Sequence, residues 1–179
     1  MKDKITGTLI WNLSMKSGLA FALLSVSCLL VKNLSATILE GGMAVSLIRF
    51  VLWATEFGGC IYLMDRFMQN LTTDFEGVTR SHTFAYGRRI ALFSSILVAG
   101  AGAIYTSLNQ DLFIAEFDKA MAGYASMMDS NTLSVIEDFR NNLPVITLIS
   151  TFLYCYLYGV VLSAIISTRH PSRNPFVNE

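Results

Sequence analysis

Two stretches of this chain carry no charge for long enough to decide where it can fold. Ile90 to Leu108 and Val145 to Ser167 contain no Asp, Glu, Lys or Arg. Each reaches the roughly 20 apolar residues that cross a ~30 Å hydrocarbon core as a helix. A helix is the form in which a single segment satisfies its own backbone N–H and C=O groups in lipid. Met43 to Met64 is equally long but holds Arg49 and Glu56. Ser17 to Val31 is shorter and lies between Lys16 and Lys32. Lysine stems can run along a helix and lift their ammonium groups to the interface. The expectation is one all-α membrane domain over residues 1–179: a bundle of four transmembrane helices at about 17–34, 43–64, 88–108 and 145–168.

Composition agrees with this. Hydrophobic residues make up 53% of the 179 residues and charged ones only 15%, against roughly 25% charged in a soluble domain. Mean hydropathy is +0.51. Thirteen basic and thirteen acidic residues cancel, so the basic surplus that displaces phosphate counterions is missing and no nucleic-acid partner is expected. The first partner is the lipid bilayer.

Lys and Arg also set an orientation. With the N-terminus inside, the inner side holds Lys2, Lys4, Lys16, Arg66, Arg80, Arg88, Arg89, Arg169 and Arg173, and the outer side only Lys32, Lys119 and Arg140. Both termini are therefore expected in the cytoplasm. A signal peptide is the alternative for the first span, with Lys2 and Lys4 ahead of Leu19–Val31. Its start is long and the small-residue pattern near Ser35 and Ala36 makes a poor cleavage site.

The short connection from Lys32 to Gly42 predicts antiparallel spans one and two, and Asp65 to Arg89 reads as a polar inner loop. Between spans three and four, about 110–143, Phe113, Phe117, Met121, Tyr124 and Met128 recur at helical spacing. Ser134 followed by Glu137 resembles a capping box, with Ile136, Phe139 and Leu143 as an apolar side. Pro144 suits the first turn of the last span. This predicts an acidic, amphipathic helical hairpin on the outer face or capping the bundle, either a rim connector or a docking surface or lid.

Small residues recur every fourth position in span three: Gly87, Ala91, Ser95, Ala99, Ala103 and Ser107. Four residues advance a helix by about 400°, so they form one slowly drifting stripe. Small stripes let backbones approach, a main source of helix association in lipid. Gly159, Ser163 and Ser167 repeat the pattern in span four. The reading is that spans three and four pack along these stripes, with an interface to a second copy or a partner as the alternative.

Span two holds the intramembrane charges. Arg49 and Glu56 share a face with Trp53 and Cys60 but lie about 10 Å apart along the axis, too far for an easy direct pair. Each costs roughly 2.5–3.5 kcal/mol at a helix centre on insertion scales. Arg49 can snorkel outward; Glu56, nearer the midplane, needs a partner or a proton. Tyr154 and Tyr158 of span four are expected at similar depth, with a hydroxyl to donate to Glu56. The alternatives are a polar clamp between spans two and four, a proton or ion site tuned by Arg49, and a lateral contact with another protein.

Further chemistry is sparse. Cys28, Cys60 and Cys155 fall inside spans, where a thiol behaves as a small apolar group. His82 and His170 show no metal-ligand spacing, and no nucleophile elbow, Walker loop or dinucleotide fingerprint occurs. No catalytic residue, metal or cofactor is expected, and the chain does not read as an enzyme.

Lys16–Leu19 opening span one, Asp65, Arg66 and Phe67 closing span two, Phe84, Ala85 and Gly87 leading into span three, Pro144, and Ser163–Ile166 ahead of a basic tail follow one another in a recognisable order. The chain resembles the four-span membrane family of Bacteroidota called domain of unknown function 4199. The family's Gly-Gly step before span three is missing here, and Arg49 and Glu56 stand outside its pattern. The resemblance implies a bacterial inner-membrane protein and brings no activity or catalytic residue with it. Two functions are expected to compete. One is a non-catalytic accessory or assembly subunit with a membrane-protein partner or a homo-oligomer. The other is a small proton-coupled transporter working through Glu56.

Overall fold

A computed structural model describes residues 6–38, 43–127 and 129–169. Among them the chain is helical, with six α-helices: α1 Gly7–Ile38, α2 Met43–Asp74, α3 Arg80–Leu108, α4 Gln110–Met121, α5 Ser130–Asn141 and α6 Leu143–Ser167. A short 3₁₀ segment, Ala122–Met127, follows α4. Helices α1, α2, α3 and α6 are long and apolar enough to cross a membrane. At 1.5 Å per residue they measure about 38 to 48 Å, more than a ~30 Å hydrocarbon core requires.

The excess length revises several expectations. Helix α1 begins at Gly7 rather than near Ser17, because Ile10 and Ser14 are already buried about three and two turns ahead of Phe21. The expected inner loop from Asp65 to Arg89 is mostly helix. Met64, Met68 and Leu71 continue the buried face of α2 past Asp65, so the helix runs to Asp74 and only residues 75–79 connect it to α3. Gly77 turns that connection with φ +72°, a conformation that favours glycine. Thr79 then caps α3: its hydroxyl accepts from the His82 backbone N–H, and its own N–H donates to His82 Nδ1. His82 is thus a capping residue. His170 lies outside the described residues.

The segment between α3 and α6 is also rearranged. α4 ends at Met121, so Tyr124 falls in the 3₁₀ segment beside Gly123, a poor helix former. Met128 lies outside the described residues. Asp129, not Ser134, caps α5: its carboxylate accepts from Thr132 N at 2.8 Å. Ser134 sits one turn inside and bonds back to Asn131 O. Phe117 of α4 stacks on Phe139 of α5 at 5.3 Å. Arg140 pairs with Asp118, and Gln110 Nε2 donates to Arg140 O at 3.2 Å. Pro144 stands in the first turn of α6, where its missing N–H would have had no helical partner.

The most extensive packing joins α3 to α6, followed by α1 to α3. A Cβ added at Gly159 would lie 2.5 Å from Ala91 Cβ, and one added at Gly87 would overlap Ser163. Ser163 Oγ donates to Phe84 O at 3.1 Å. As α3 numbers rise, their α6 neighbours fall, so these two helices are antiparallel. Gly87, Ala91, Ser95, Ala99, Gly159, Ser163 and Ser167 are all buried, while Ala103 is half-buried and Ser107 exposed. The four-residue stripe drifts off the contact by about 40° per step. Gly102 and Thr106 take over at the far end, with Gly102 facing Thr147.

Helices α1 and α3 run parallel. Gly18 lies against Ile90 and Phe93, and a Cβ there would meet Phe93 Cβ at 2.8 Å. Below it, Tyr86 Oη and Ser17 Oγ share a 2.7 Å hydrogen bond. The buried core, including Met64, Met68, Leu71, Val78, Ile90, Leu162 and Ile166, gathers in the half of the bundle nearest Arg66, Arg80, Arg88 and Arg89. In the opposite half α2 carries an exposed row, with Leu47, Phe50, Val51 and Trp53 all more than half exposed.

Candidate functional site

Where the core stops, a crevice opens between α1, α2, α3 and α6. It has a volume of about 90 Å³, enough for several waters. Glu56 on α2 is half-buried in its wall. Ser25 comes from α1, Cys60 from one turn along α2, Ser94 from α3, and Tyr154, Cys155 and Tyr158 from α6. Phe21, Trp53, Phe57 and Val98 complete the apolar surface.

The positions follow from helical spacing. Phe21, Ser25, Cys28 and Lys32 lie at intervals of four, three and four, so they fall along one side of α1. Ser25 brings a hydroxyl to the same wall as Glu56 and the Cys60 thiol, and Lys32 lies two turns further along that side of α1. No ion pair to Glu56 forms among the described residues. On α2, Phe50, Trp53 and Phe57 make a stacked ladder with centroid separations of 6.1 and 5.6 Å. Phe57 then meets Tyr158 at 5.7 Å, which ties α2 to α6.

Two expectations about this site change. Arg49 is exposed and does not line the crevice. On α2 the crevice lining begins at Trp53, one turn nearer the core than Arg49. The tyrosines do not clamp Glu56 either. Tyr154 forms the rim and is 71% exposed, while the Tyr158 hydroxyl is buried without a hydrogen-bond partner. On the α1 side Ser25 shares the crevice wall with Glu56. Cys60 and Cys155, widely separated in sequence, line the same crevice as Glu56, while Cys28 is buried outside its lining. No cluster of three metal-binding side chains occurs among the described residues.

Chemically, the crevice offers one carboxylate, two serine hydroxyls, a free phenol and a soft apolar wall. It can accept a cation or a hydrogen-bond donor at Glu56 and an acceptor at Tyr158. The α3–α6 stripe supplies the rigid wall behind it. Comparison with protein-family models, curated proteins and solved structures finds no match to the chain.

Proposed function

We propose that this chain is a multi-pass protein of a bacterial cytoplasmic membrane, with four spans, both termini inside and the α4–α5 segment as an outer hairpin. In this reading it is a non-catalytic accessory subunit that receives a partner's transmembrane helix along α2, as the resemblance to domain of unknown function 4199 leaves open. The observation that carries it is Glu56: a carboxylate without an ion-pair partner among the described residues, in a crevice flanked by the exposed row of α2. An intramembrane carboxylate is costly unless paired. A Lys or Arg on a partner helix would supply the pair, while Leu47, Phe50 and Val51 supply the packing surface.

The small-residue stripe is no longer available for that role. Gly87, Ala91, Ser95 and Ala99 are buried within the chain, so enlarging Ala99 tests folding rather than partner binding. The informative bait is the full chain purified from its host in mild detergent, with quantitative mass spectrometry of what co-elutes. A stoichiometric membrane protein that is retained by wild type and lost with Glu56→Gln is the expected result. Recovery of the chain alone from both baits refutes the reading.

A second reading draws on the buried, unpartnered Tyr158 hydroxyl. With Glu56 and room for waters, it fits a proton site in a small transporter. Transport in vesicles that survives Glu56→Gln would exclude it.

A further inference from the structure

At the basic end of the bundle α1 and α3 are in register. Ser14 stands opposite Tyr86 and Gly18 opposite Ile90. That offset puts Lys16 level with Arg88 and Arg89. From there Arg89 reaches across to α1, where its guanidinium carbon lies 4.7 Å from the centroid of the Trp11 ring. Phe93 meets the same indole edge-on at 5.5 Å, fixing it in place. Trp11 keeps 43% of its surface exposed, so the shelf is open on one side.

The contact leaves a donor unused. Arg89 Nη1 is buried and has no hydrogen-bond partner, and among the described residues no carboxylate forms an ion pair with Arg89. A ring face attracts the positive charge but does not replace an oxygen acceptor for the guanidinium N–H groups. A cation that is half-buried, set over a ring and short of an acceptor calls for an oxyanion, and its planar fork matches the oxygens of a phosphate. The level is right for one. Arg89 immediately precedes the uncharged run that starts at Ile90, so the shelf stands where hydrocarbon gives way to headgroups and tryptophan is favoured. Lys16 and Arg88 add positive charge at the same height.

We propose that Trp11 and Arg89 form a phosphate-binding shelf. Arg89 donates to the phosphate oxygens, and Trp11 holds the guanidinium flat and carries the apolar portion of whatever bears the phosphate. A lipid headgroup and free phosphate share this chemistry. The lipid source rests on the membrane reading above; the phosphate site itself does not.

Trp11 doubles as the reporter, because Trp53 is the only other tryptophan in the chain. The full chain carrying Trp53→Phe is reconstituted in phosphatidylcholine bilayers containing a minor fraction of dibrominated lipid. Brominated phosphatidylglycerol should quench Trp11 with about fivefold higher apparent affinity than brominated phosphatidylcholine, the margin of one cationic side chain at an anionic surface. Arg89→Gln should abolish the preference and Arg89→Lys should restore part of it. Arg66→Gln, on α2 beside Gln69, should leave it unchanged. If lipid shows no preference but inorganic phosphate shifts Trp11 emission in the parent and not in Arg89→Gln, the site stands and its ligand is soluble. If neither probe distinguishes the parent from Arg89→Gln, or Arg66→Gln removes the preference equally, the shelf is only part of a diffuse positive surface and the proposal falls.

Discussion

Gly159 is the position at which the packing of this bundle is most sharply testable. A methyl group there would lie 2.5 Å from Ala91 Cβ and 3.3 Å from Ala91 Cα. Neither atom can rotate away, since one is backbone and the other is fixed to it. Helices α3 and α6 must therefore separate by about 1 Å to restore ordinary contact, and a gap of 0.5–1 Å forfeits a quarter to a half of each dispersion well it opens. The same movement lengthens the 3.1 Å bond from Ser163 Oγ to Phe84 O. Overpacking typically costs about 1–3 kcal/mol, and losing a buried hydrogen bond adds about 1 kcal/mol. The helix propensity gained on replacing Gly by Ala offsets about 1 kcal/mol. Gly159→Ala should thus destabilise by about 1–3 kcal/mol, measured by reversible unfolding in mixed micelles. Ala91→Gly in the same chain should relieve most of the clash, giving a coupling of about 1–2 kcal/mol in a double-mutant cycle. Gly58 and Gly100 have open space where a Cβ would go, so Gly→Ala there should be neutral or slightly stabilising. A neutral Gly159→Ala with no coupling to Ala91 would refute the α3–α6 contact as described.

Three shorter tests bear on other parts of the molecule. Tyr86→Phe removes the 2.7 Å bond to Ser17 and should cost about 0.6 kcal/mol, with about 1.7 as the ceiling for interhelical hydrogen bonds in membranes; a neutral result in the same unfolding assay would mean the two hydroxyls do not pair. Asp129 is held below the ordinary aspartate range, first by its bond to Thr132, so its contribution to α5 is full above the unfolded value and disappears as pH falls through the folded one. Hydrogen exchange across α5 should therefore lose protection at acid pH in wild type but show a pH-independent pattern in Asp129→Asn, and the same acid loss in both would assign it elsewhere. Cys28 and Cys60 are buried, and Cys155 lines a crevice of only about 90 Å³, so a bulky water-soluble maleimide should label none of them in vesicles, whereas a cysteine placed at exposed Ser81 should label from the side that the proposed orientation makes cytoplasmic.

The existence of the four long helices was legible because uncharged runs of this length have few other solutions. Their ends were less so. A charge-counting window stops at Asp65, but the helix does not: Met68 and Leu71 keep facing the core while Asp65, Arg66 and Gln69 occupy the other sides. The α3–α6 contact could be read from Gly87, Ala91, Gly159 and Ser163, since small residues at spacing four leave one physical use on a lipid-facing helix. Only its drift toward Gly102 and Thr106 needed the three-dimensional structure. Glu56 stood out as the residue that had to be explained, but its neighbours did not. Ser25, Ser94, Cys60 and Cys155 are individually unremarkable polar or small residues in apolar segments. The available clue was the spacing of Phe21, Ser25, Cys28 and Lys32 on one side of α1, and charge alone drew attention to Arg49 instead.

The two halves of the bundle differ for a reason that bears on what the open half does. Lipid tails are as apolar as leucine, so no hydrophobic force closes a gap between spans; helices come together where small residues permit contact or polar groups meet. α3 and α6 have such residues along their contact, and α1 adds Gly18, Ser14 and Ser17. Near the basic end α2 is joined to them by Met64, Met68 and Leu71. Above Cys60 its outer face carries large side chains, Trp53, Phe50 and Leu47, which remain on the surface. Glu56 lies at that transition. A carboxylate left there, with one serine and a distant lysine for company, adds nothing to the packing of this chain alone that a leucine would not do better. Its position is accounted for if the structure that completes the upper half of α2 belongs to another molecule.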